Sequence, residues 1–115
     1  MLTTKEKGLL INIIKHCKRI EKKIIGVSKD DFFQNDDILE IVCFNVFQIG
    51  ELTKHFDLTF IKENNQVPWK EIKGMRDIIG HGYGSIEKEE VWKTASFEIK
   101  PLRECCETIL SNDIL

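Results

Sequence analysis

Apolar residues at alternating steps of three and four constrain this chain more than any other feature of its sequence. Leu10, Ile13, Cys17, Ile20 and Ile24 set the pattern, with Thr3 and Glu6 placed ahead of them as a capping-box pair. The spacing predicts an amphipathic helix, and Gly26 suits its end. A second helix should run through Ile38, Ile41, Val42, Phe44, Val46, Phe47, Ile49, Leu52 and Phe56, capped by Asp36 or Asp37. Its apolar surface wraps too far round for a single seam. That predicts burial on more than one side, as an inner bundle member or across a subunit interface.

Ile61 to Val67 reads as a polar loop, with Pro68 as the first residue of a third helix. Trp69, Ile72, Met75 and Ile79 give that helix an inward face, and Gly80 should stop it. A glycine-spaced turn follows, Gly80-His81-Gly82-Tyr83-Gly84. The fourth helix should start near Ser85 to Glu87 and carry Trp92, Ala95, Ile99, Leu102, Cys106 and Ile109, kinked or restarted by Pro101. No segment reads as a strand. The expectation is an all-α protein of four to five helices in an up-down bundle, one domain spanning residues 1–115.

Composition narrows the functional classes. At 42% hydrophobic and 31% charged residues, the chain can bury a core, which excludes wholesale disorder. No run approaches the roughly 18 apolar residues of a membrane helix, and the start lacks a signal-peptide pattern, so a cytoplasmic location is expected. The net charge of −2 argues against a general nucleic-acid coat, yet the charge is uneven. Eight basic residues, from Lys5 to Lys29, precede Asp30, against only Glu6 and Glu21. Lys15, Arg19 and Lys22 share one helical face and are candidates to border an RNA groove, a solvated face being the plainer alternative. Cys17, Cys43, Cys105 and Cys106 fall in no metal-ligand spacing, and His16, His55 and His81 are scattered. Neither a metal nor a cofactor is expected.

The third helix holds an oddity, since its missing seam position is Arg76. An arginine at the margin of an apolar face needs a partner or a route to water. A structural salt bridge to Glu51, one of the few charges on the second helix, is one reading. His81 lies five residues on, about 140° round an unbroken helix. If Gly80 ends the helix, His81 can swing back beside Arg76. The alternate glycines are not a phosphate loop, because the segment follows a helix and lacks both the third glycine of GxGxxG and a P-loop lysine.

The run from Val67 to Tyr83, VPWKEIKGMRDIIGHGY, resembles the signature of the HepT-like toxins of the HEPN superfamily, R-x4-H-x-Y. Ile49-Gly50-Glu51 upstream and Val91-Trp92 downstream resemble the same family, so the likeness covers nearly the whole chain. Asp77 departs from the asparagine that many members carry after the arginine.

The resemblance implies a metal-independent endoribonuclease toxin of a toxin–antitoxin system. Its members form helical dimers whose paired arginine–histidine motifs line a cleft between subunits. By that likeness Arg76 and His81 are the catalytic candidates, with Asp77 and Glu51 supporting them. The likeness also implies a partner, an MntA-type nucleotidyltransferase antitoxin that adds AMP to Tyr83, the chain's single tyrosine. The alternative is a non-catalytic helical module that binds the nucleotidyltransferase.

Overall fold

The computed structural model describes residues 1–80 and 87–113, and the described part is helical with no strand. Its elements are α1 (Thr4–Ile24), α2 (Lys29–Gln34), α3 (Asp36–Thr53), α4 (Leu58–Glu63), α5 (Trp69–Gly80), α6 (Lys88–Lys93), a π turn (Thr94–Glu98) and α7 (Ile99–Asp113).

The capping box forms as expected. Glu6 N–H donates to Thr3 Oγ1 at 3.0 Å, and Thr3 N–H donates back to Glu6 Oε1 at 2.9 Å. Leu10, Ile13, Cys17 and Ile20 are fully buried, each aliphatic side chain contributing about 2 kcal/mol by leaving water. Past the end of α1, Gly26 takes φ +74°, a left-handed conformation that glycine adopts without steric cost. The buried seam packs α1 against α3 and α7. An ion-paired fork reinforces the α1–α7 contact. Arg103 donates through Nε and Nη2 to the two oxygens of Glu21, at 2.6 and 3.1 Å, and through Nη1 to Glu107 at 2.7 Å.

Several boundaries differ from the sequence expectation. Asn35, not Asp36 or Asp37, caps α3, its Oδ1 accepting from Ile38 N–H at 3.1 Å. Both aspartates sit in the first helical turn instead, where they complement the helix dipole. α3 ends at Thr53, short of Phe56. The acidic loop before it holds α2, and the loop expected over Ile61 to Val67 begins inside α4. Phe32 on α2 and Phe60 on α4 are buried, with Phe33 and Ile61 beside them packed against the core. Pro68 precedes α5 and supplies its carbonyl to Ile72 N–H at 3.1 Å.

Pro101 does not break the last helix. The chain accommodates it through the π turn, where Ile99 N–H reaches back five residues to the Thr94 carbonyl. Pro101, which has no N–H to donate, is then the third residue of α7, just past that turn. Ala95, Ile99, Leu102, Cys106 and Ile109 are all buried, as their spacing predicts. Of the cysteines, Cys17, Cys43 and Cys106 are core residues. Burial holds all three thiols above the ordinary range, Cys43 pushed up to about 11 and Cys106 to about 12.

A candidate active site on α3 and α5

The pairing of Arg76 with Glu51 is present. Arg76 Nε donates to Glu51 Oε1 at 2.6 Å and Nη1 donates to Asp77 Oδ1 at 2.8 Å. Lys54 joins the same Glu51 oxygen at 3.2 Å. The Arg76 side chain keeps 25% of its surface exposed, so it lies at the edge of the core rather than inside it. Its hydrogen bonds, led by the one from Arg76, hold the Glu51 carboxyl below the usual carboxylate range despite some desolvation. Donation to Glu51 likewise raises the Arg76 guanidinium above its ordinary value, against desolvation.

A glycine makes this position possible. A methyl group on Gly50 would stand 2.4 Å from Arg76 Cβ, 2.8 Å from Cγ and 3.2 Å from Cδ. The arginine stem therefore lies directly on the α3 backbone, at a distance no other residue at position 50 permits. Thr53 Oγ1 adds a bond to the Gly50 carbonyl at 2.7 Å. Only the triplet Ile49-Gly50-Glu51 hinted at this contact from sequence, and an isolated glycine within an apolar helix is the kind of signal that marks close packing.

The start of α5 is fixed by aromatic packing. Trp69 Nε1–H donates to the Asn64 carbonyl at 3.0 Å, and its ring meets Phe56 and Phe60 edge-on. The rings of Phe56 and Phe60 stack at 4.4 Å. With Ile72 buried, these contacts set the rotation of α5 and present Arg76 to Gly50.

The other expected residues divide into two groups. His81 and Tyr83 lie outside the described residues, as does the turn expected after Gly80. Lys15, Arg19 and Lys22 are exposed on α1 and line an open groove of about 440 Å³. That groove shares no lining residue with the cavity beside Arg76, so the structure does not join the two. Sequence reading overlooked a polar pair nearby: His16 Nδ1 lies 2.8 Å from Oδ1 of the buried Asn45, whose Nδ2 donates to the Ile41 carbonyl.

Comparison with known proteins decides the family. The family model described as "Ribonuclease HepT-like" matches residues 13–109, which include α3, Arg76 and the whole of α5. The chain belongs to the HepT-like ribonuclease family of the HEPN superfamily. This HepT-like chain is 30% identical over 104 residues to "Putative RNase TTE0752" of Caldanaerobacter subterraneus subsp. tengcongensis, covering 90% of this chain and 93% of the relative. It is 27% identical over 97 residues to "Probable ribonuclease HepT" of Thermococcus cleftensis, covering 84% and 88%. A third relative, "Putative RNase MJ1216" of Methanocaldococcus jannaschii, is 27% identical over 106 residues, covering 92% and 88%. No solved structure matches the chain. Among the described residues of this HepT-like protein no helix is long and apolar enough to cross a membrane.

Proposed function

We propose that this protein is a metal-independent endoribonuclease toxin of a toxin–antitoxin system, acting as a homodimer in the cytoplasm, with residues 1–115 as one helical domain. The observation that carries the reading is Arg76 itself. In a chain of a ribonuclease family, an arginine whose stem lies on a glycine has its guanidinium steadied by two carboxylates and its side chain left partly open to solvent. Arg76 would hold the scissile phosphate and stabilise the negative charge that grows on its oxygens in the transition state.

His81, five residues on in the R-x4-H-x-Y run, supplies the proton chemistry. As base it takes the proton of the ribose 2′-hydroxyl, whose oxygen attacks phosphorus while the bond to the 5′-oxygen breaks. As acid the second subunit's copy returns a proton to that leaving oxygen. The products are a 2′,3′-cyclic phosphate and a free 5′-hydroxyl. Pairing of subunits would provide both forms at one cleft. The outer face of α3 supports such a contact, since Ile41 and Phe44 are 38% and 52% exposed there. Asp77 and Glu51 position Arg76, and Lys15, Arg19 and Lys22 steer the RNA backbone from α1.

Neutralisation by an MntA-type nucleotidyltransferase would place AMP on Tyr83, bringing bulk and negative charge into a cleft meant for phosphate.

The test is RNA cleavage by the purified protein, without its partner, in EDTA. Cleavage that disappears in His81→Ala and in Arg76→Ala is expected. Absence of cleavage, together with unimpaired growth on expression, would favour a non-catalytic partner of the transferase. With ATP and the transferase, each AMP should add about 329 Da at the phenol oxygen. A Tyr83→Phe protein that still gains that mass moves the site elsewhere.

A further inference from the structure

Beside Arg76 lies a cavity of about 300 Å³ whose lining, unlike that of the lysine-rich groove on α1, combines cations with an aromatic side chain. Three cations reach it, Lys54, Lys73 and Arg76, and no carboxylate does so among the described residues. Trp69, Ile61 and Thr53 line the same cavity. Glu51 and Asp77 lie just behind and offset two of the three charges through Arg76 and Lys54. Lys73 makes no ion pair within 4.0 Å among the described residues, so the lining keeps a net positive charge. The cleft bounded by Glu71, Glu90 and Glu98 on the α6 side has the opposite character.

Cations together with an aromatic and an aliphatic side chain, in a space at the lower end of the volumes that small ligands occupy, suit a ligand that carries both a phosphate and a flat ring. We infer that this cavity is a nucleotide subsite, holding the residue that flanks the scissile phosphate of the RNA. The base lies against Trp69 and Ile61, where stacking is tolerant of base identity. The adjoining phosphate takes Lys73 and Lys54, leaving Arg76 for the phosphate that reacts. The assignment rests on the ribonuclease reading, because it is Arg76 that links the pocket to the chemistry. Binding in such a subsite lowers KM without changing the reacting atoms, so it governs affinity more than turnover.

The experiment uses the full chain carrying Trp92→Phe, so that Trp69 is its single tryptophan, with folding checked by circular dichroism. Its emission is titrated with 5′-AMP, 5′-UMP, adenosine and inorganic phosphate. Both mononucleotides are expected to quench Trp69 with half-saturation on the order of millimolar. Adenosine and phosphate should each bind at least fivefold more weakly. Lys73→Ala should weaken the mononucleotides at least fivefold, while Lys62→Ala, which removes an equal charge outside the pocket, leaves them unchanged.

On an RNA substrate, Lys73→Ala and the pocket-filling Ile61→Phe should each raise KM about fivefold to tenfold with kcat within about twofold. No quenching by mononucleotide, or cleavage with KM unmoved in both variants, overturns the subsite alone and leaves the ribonuclease reading standing. Quenching that Lys73→Ala weakens, in a protein that cleaves no RNA, keeps the subsite and removes the ribonuclease reading. Phosphate binding as tightly as AMP overturns the role of the apolar side chains, and the nucleotide assignment with it.

Discussion

Arg76 and Arg103 are near twins by the usual measures, with side chains 25% and 20% exposed and each bonded to two carboxylates. Their hydrogen-bond geometry separates them. Arg103 closes a fork on Glu21 through Nε and Nη2 and gives Nη1 to Glu107, so all three nitrogens are engaged across α1 and α7. The bonds of Arg76 among the described residues run through Nε and Nη1, each to a single oxygen of a different carboxylate. Arg103 is a staple, saturated by its neighbours. Arg76 is held among the described residues by single contacts, with its stem over a glycine and its side chain lining a cavity. Burial and charge alone would not have distinguished them.

The largest effect that would test this contrast is on catalysis. Arg76→Ala should lower RNA cleavage by about 10²- to 10³-fold, the scale for removing one donor to a transition-state oxyanion. Arg103→Ala should leave cleavage per folded molecule within about twofold. Cleavage lost equally in both variants would erase the distinction. Gly50→Ala comes next, because the added methyl must push Arg76 or the whole of α5 away. Overpacking of this kind costs about 1–3 kcal/mol, and the displaced guanidinium should also cost cleavage about tenfold; thermal melts and initial rates report the two separately.

On stability the order reverses. Arg103→Ala removes the fork between α1 and α7 and strands Glu21, at a cost of about 2 kcal/mol. The melting temperature should fall by about 8 °C. The smallest effect is in acid. Glu51 titrates below the usual glutamate value because Arg76 and Lys54 donate to it. Its contribution to stability is therefore complete above the unfolded-state value and is lost as pH falls through the lower folded-state value. Glu51→Gln should flatten that part of the stability-against-pH curve, measured by urea melts between about pH 5 and 2. An unchanged curve would mean that the pair adds nothing to folding.

What the sequence revealed follows physical lines. The long seams were legible because periodicity accumulates over many residues, as from Leu10 to Ile24. α2 and α4, six residues each, are too short to show a period, although each buries a phenylalanine, Phe32 and Phe60. The Arg76–Glu51 pair could be anticipated because a charge on a seam needs a partner and few were on offer. The bond to Asp77 could not, since neighbours along a helix do not ordinarily face each other. The cavity was invisible because its walls come from three helices whose relative rotation depends on the aromatic contacts of Trp69.

The π turn carries a lesson in chain length. α6 packs against α2 and α3, whereas α7 packs against α1, although the two run as one continuous helical rod. One residue spans about 100° of helical rotation, so the wider turn at Thr94–Glu98 changes the angular phase between the halves. Losing a single codon there would turn one half's apolar face out of the core. A substitution at any one of those five positions is a local event, but a deletion among them would force the protein to choose between its contacts with α3 and its contacts with α1.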